Sequence, residues 1–110
     1  MRAARLACGL LLALPSLPAH AGWIYAYRIG NAAGVRCEKR GITTRPVQRR
    51  ISEEIRALRS TGFAVIPGSI ITERRADYRE AETAWKRRLG PGSCRLDADG
   101  FRSESWRLAR

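Results

Sequence analysis

From Gly22 to Ile29 the chain alternates, with Trp23, Tyr25, Tyr27 and Ile29 on one side and Ile24, Ala26 and Arg28 on the other. A period of two in a run rich in aromatic and β-branched residues predicts a strand. Gly30 to Gly34 reads as a turn, and Val35 to Lys39 as a returning strand that carries Cys37, which makes a hairpin. From Thr44 the period becomes helical. Thr43 or Thr44 is placed to cap, Pro46 suits the first turn, and Val47, Ile51, Ile55 and Leu58 recur at i, i+4, i+8 and i+11 on one stripe.

Gly62 is placed to stop that helix, Phe63 to Ile66 reads as a short buried strand, and Pro67-Gly68 as a turn. Ser69 to Thr72 reads either as a second short strand or as the lead into another helix. That helix is expected from about Glu73 to Leu89, with Tyr78, Ala81, Trp85 and Leu89 on one face and Gly90-Pro91-Gly92 ending it. Asp97-Ala98-Asp99-Gly100 is turn chemistry, and Phe101 to Leu108 reads as a final strand with Trp106 and Leu108 on one face. The order β-β-α-β-α-β predicts a single small α+β domain, with two helices packed on one face of a mostly antiparallel sheet.

The segment before Gly22 changes where this domain is expected to work. Arg2 and Arg5 precede an apolar run from Leu6 to Leu14, then Pro15-Ser16-Leu17-Pro18 and Ala19-His20-Ala21. Basic start, short apolar core and A-x-A end predict a signal peptide over residues 1–21, leaving residues 22–110 as the exported domain. The apolar run is far short of the roughly 20 residues that a spanning helix needs. A periplasmic or secreted location follows, and the leader's short form points to a bacterial envelope.

The chain has 110 residues, with 21 Lys+Arg against 10 Asp+Glu and a formal charge of +11, which becomes +9 when Arg2 and Arg5 leave with the leader. Its one histidine, His20, and one methionine, Met1, leave too. A mature chain without histidine has no Ser-His-Asp or Cys-His nucleophile system, no imidazole proton shuttle and no zinc site of the His-containing kind. Cys8 leaves as well, so Cys37 and Cys94 are expected to pair in an oxidising compartment. That bridge suits a domain small enough to be marginal on its core alone.

Three patterns are candidates for chemistry. Arg45, Arg49 and Arg56 are expected side by side on the first helix, opposite the Val47 stripe, as a guanidinium ridge able to grip anionic groups bidentately. Trp23, Tyr25 and Tyr27 form a row that could stack bases or sugars if it faced solvent, but a domain this small needs such side chains for its core. Asp97-x-Asp99-Gly100 resembles a fragment of a calcium loop, without the further acidic ligands that make one, so no metal site is expected. Glu53, Glu54, Glu73, Glu80 and Glu82 could supply a carboxylate pair for hydrolysis, but helical Glu among Arg is the pattern of surface ion pairing.

The sequence therefore points to a non-enzymatic, exported binding module without cofactor. Its cationic surface would meet a polyanion, such as an envelope glycolipid, lipid headgroups, an acidic polysaccharide or nucleic acid outside the cytoplasm. The alternative is a periplasmic or secreted protein–protein module, an inhibitor, adaptor or accessory subunit of an envelope complex, with an acidic partner.

Overall fold

β1 (Gly22–Gly30) is the strand on which the rest is assembled in a computed structural model that describes residues 20–109. The leader expected over residues 1–21 lies outside the described residues apart from His20 and Ala21. β2 (Arg36–Thr43) returns antiparallel along the whole of β1, from Trp23 opposite Thr43 to Gly30 opposite Arg36. The turn between them is tied by the Asn31 side chain, whose Oδ1 accepts the Val35 N–H at 2.9 Å, and by Gly34 at a φ of 83°. Positive φ is glycine's territory.

The remaining elements are α1 (Val47–Ala57), β3 (Ala64–Val65), β4 (Ile71–Arg75), α2 (Tyr78–Leu89) and β5 (Ser105–Arg107). β3 and β4 both pair antiparallel with β1 on its far side, and β5 pairs antiparallel with β2. The sheet therefore runs β3/β4, β1, β2, β5, and the α+β class, the antiparallel sheet and the element order are as the sequence predicts.

β3 and β4 amount to one edge strand broken by an excursion over residues 66–70. Ile29 faces Val65, but Ala26 faces Ile71, so the excursion carries more residues than the stretch of β1 it passes. Ser69 closes the gap: its Oγ accepts the Arg28 N–H at 3.0 Å and lies 2.6 Å from the Ile66 carbonyl, to which it donates. A side chain here takes the place of a ladder bond that would leave a backbone donor unpaired.

The helices do not share a face of the sheet, and this corrects the expected layering. The odd-numbered residues of β1 and β2 (Tyr25, Tyr27, Ile29 and Cys37) form the main core with Val47, Ile51 and Leu58 of the α1 region and with Leu96 and Phe101. The even-numbered side meets α2 instead. A Cβ at Gly22 would lie 2.8 Å from the Tyr78 ring, and the Arg40 guanidinium sits 5.9 Å above the Trp85 ring. Trp106 of β5 joins this second layer, donating its indole N–H to the Gly90 carbonyl at 3.0 Å. The physical reason is that Ile24 and Ala26, on the side of β1 that also carries Arg28, are apolar enough to need cover, and the three aromatic side chains Tyr78, Trp85 and Trp106 supply it.

Cys37 and Cys94 are joined as expected, with Cα atoms 5.9 Å apart, tying β2 to the loop after α2. Three boundaries differ from the sequence reading. β2 runs on to Thr43, through Gly41, where any side chain would strike the Tyr25 hydroxyl. Glu73 to Arg75 are strand, so α2 starts only at Tyr78. β5 is confined to Ser105–Arg107, because Phe101 turns into the core, fully buried, before the strand begins.

Candidate functional site

α1 begins at Val47, two residues later than its arginine pattern suggests. Pro46 is the residue before the first helical turn, no side chain caps it, and the Thr43 hydroxyl accepts the Arg45 N–H at 3.0 Å just upstream. Arg45 thus stands outside the helix and is not part of a helical ridge. It reaches back to Glu53, with Nη2 and Oε2 2.5 Å apart. Arg49 and Arg56, seven residues apart, share the solvent face of α1 and are exposed. Glu53 lies between them in the helix. Its carboxyl is held below the usual range, first by the hydrogen bond from Arg45 and then by the charges of Arg45, Arg50 and Arg56. The structure therefore has Arg49 and Arg56 on one face, with Arg45 joining them only through a shared carboxylate.

The buried side of α1 holds a feature that pattern reading misses. Glu54 sits inside the core, 4% exposed, and accepts hydrogen bonds from the Tyr25 hydroxyl at 2.6 Å and the Tyr27 hydroxyl at 2.8 Å. Arg50 Nε is 3.3 Å away and Lys39 Nζ 3.6 Å. Lys39, fully buried, donates to the Arg40 carbonyl at 2.7 Å and to Glu104 at 3.1 Å. Glu104 also pairs with Lys86 at 3.2 Å, so the chain's only two lysines meet on one carboxylate. A compact ammonium with three donors suits so narrow a space, whereas the arginines stay nearer the surface.

Buried charges survive only when paired and hydrogen-bonded, and each of these is. Burial and the neighbouring Glu54 carboxylate push both tyrosine hydroxyls far above their ordinary range. Burial opposes ionisation of Glu104, but Lys39 and Lys86 outweigh it and hold its carboxyl below the usual range. Chemically, the network fixes a carboxylate among donors already committed to it. The sequence signal that could have found it is the apolar stripe itself, since Glu54 stands three residues after Ile51 and four before Leu58.

A cleft of about 340 Å³ opens beside this network between Arg50, Glu53, Glu54 and the Asp99-Gly100 turn. Gly100, at a φ of 85°, lets the turn pass close over Glu54. Among the described residues no group of three or more histidine, cysteine or acidic side chains is gathered for a metal. The row Trp23, Tyr25, Tyr27 faces inward: the two tyrosines are buried and Trp23 is packed against the core.

The even-numbered face carries the open surface. A hollow of about 100 Å³ is lined by Ile24, Ala26, Ile71, Arg40 and Trp85. A second, of about 310 Å³, lies between Arg28, Arg36, Glu38 and the excursion at Ile66 to Ser69, and it shares Ala26 and Ile71 with the first. Arg28 and Arg40 both reach Glu38, at 3.7 and 2.7 Å. The Trp85 indole N–H is buried and has no hydrogen-bond partner among the described residues. None of this groove was legible as a site, because its lining is split between β1, β2, β4 and α2.

Comparison with family models, with curated proteins and with solved structures returns no match for this chain.

Proposed function

We propose that the protein is a small exported binding module, not an enzyme, whose arginine surface contacts a polyanion outside the cytoplasm. The observation that carries this reading is how the carboxylates are used. Every acidic side chain except Glu80 and Asp99 lies within ion-pair distance of a cation, and several serve the interior. The arginines left over are exposed: Arg49, Arg56 and Arg59 on and just after α1, Arg87 and Arg88 at the end of α2, and Arg36, Arg74, Arg79, Arg95 and Arg107 elsewhere. Among the described residues these have no carboxylate within 4 Å. Uncompensated guanidinium groups steer anions and give salt-dependent association.

Arg45, Arg49 and Arg56 remain the proposed contact, on and just before α1, with Arg49 and Arg56 the stronger pair because Arg45 is shared with Glu53. The test is retention on immobilised heparin against a sulfonate cation exchanger across one salt gradient. Later elution from heparin is expected, and an Arg45→Ser, Arg49→Ser, Arg56→Ser variant should lose that difference. Equal elution of the unaltered protein from both media overturns the reading.

A further inference from the structure

The even face of the sheet carries a surface that polyanion binding does not use. Ile70 and Ile71 are the large hydrophobic side chains left exposed, at 42% and 68%. Scattered apolar residues on a surface are ordinary. Ile71 is not scattered: it lines both hollows, which also share Ala26, and Ile24 and Trp85 line the smaller one. The apolar surface is thus continuous from α2 to the excursion. Beside it the Trp85 indole N–H is buried without an acceptor among the described residues, a state that polar groups in folded proteins seldom keep.

We infer that this groove docks an extended, acidic segment of a protein partner in which apolar and carboxylate side chains alternate. Charge decides the sign. The chain carries +11, and Arg36, at the mouth of the larger hollow, has no carboxylate within ion-pair range among the described residues. The interleaving decides the class. Glu38 and Glu73 stand among the lining residues, so a uniform run of phosphate or sulfate meets two repulsive points. An acyl chain meets Arg40 and Glu38 across its path. An extended peptide meets each in turn, with apolar side chains over Ile24 and Ile71 and carboxylates toward Arg36 and Arg40. Two small hollows in series take successive side chains of one strand.

The probe is a synthetic peptide of alternating leucine and glutamate, titrated into the mature protein with its disulfide intact and followed by the indole N–H resonance of Trp85, assigned with Trp85→Phe. Saturable binding with a shift of that resonance is expected. Ile71→Glu should weaken it at least about tenfold, leaving thermal stability and heparin retention unchanged, since the side chain it replaces is largely in solvent. Arg36→Glu, also at an exposed position, is the second variant and should weaken peptide binding likewise with thermal stability unchanged; heparin retention is compared on Ile71→Glu alone, because Arg36→Glu removes an uncompensated guanidinium. The arginine-to-serine variant of α1 should do the reverse, so a failure here is separable from a failure of the polyanion reading. Equal binding of a leucine–lysine peptide, full displacement by heparin, or indifference to both groove variants would overturn the inference. So would loss, in Ile71→Glu, of binding to phosphatidylglycerol vesicles by a protein that ignores the peptide.

Discussion

The two faces of one sheet are built to different standards. On the odd-numbered face every device for stability is present: the α1 stripe, the Cys37–Cys94 bridge, Phe101 fully buried, and an ion network in which Lys39 and Glu54 have their charges answered. On the even-numbered face α2 and two tryptophans cover one end, and the rest is left as a groove lined by the exposed Ile71, beside a buried indole N–H with no partner among the described residues. The residues alternate along the same strands, so the contrast is made at the level of single side chains. It teaches that a small domain can concentrate its stability on one side and leave the other free to contact something else.

Breaking the stapled face should have the larger consequences. Replacing Cys37 and Cys94 with serine opens a covalent loop whose ends are 57 residues apart, and loop entropy puts the loss at about 4 kcal/mol. Urea unfolding of the two proteins should show it as a lower midpoint, and an unchanged midpoint would mean the core holds without the bridge. Next comes Glu54→Gln, which keeps the shape but removes the charge that Lys39 and Arg50 face. A loss of about 3 kcal/mol is expected, read by the same unfolding experiment, and a neutral result would place the weight of the network on Glu104 instead.

The smallest effect near neutral pH sharpens the comparison by titration. Tyr25 and Tyr27 have hydroxyl pKa values raised, chiefly by burial, above the ordinary 10.0. A raised folded-state value means that their contribution to stability is complete below the unfolded value and is lost as pH climbs past it. Unfolding midpoints should therefore begin to fall above about pH 10. A Tyr25→Phe, Tyr27→Phe variant should fall less steeply there, and parallel alkaline slopes would show that the phenols do not face the carboxylate as described.

Where single-residue patterns decide structure, the fold was legible. The alternation from Trp23 to Ile29, the stripe of Val47, Ile51 and Leu58, the glycine at Gly90 with its φ of 73°, and the pairing of Cys37 with Cys94 all appear where the residues put them. What stayed hidden depends on partners far along the chain. Lys39 and Glu54 are charged and so read as surface, and only the approach of Glu104 and two phenols makes their burial affordable. The split of the helices across the sheet was hidden because Ile24, Ala26 and Arg28 read as a solvent side until Tyr78 and Trp85 are seen to cover it. The arginines of α1 were legible as exposed, but the late helix start that detaches Arg45 depends on the extended backbone of Pro46.

The excursion between β3 and β4 has a meaning for how this protein can vary. Each half of the broken edge strand has its own register against β1, and Ser69 pins the bend between them. Residues can be gained or lost at the exposed Pro67-Gly68 tip without shifting either half or disturbing the stapled core. Such a change would still redraw the wall of the groove. The segment is therefore a natural place for lineages, or for a library, to exchange one binding preference for another while the scaffold stays the same.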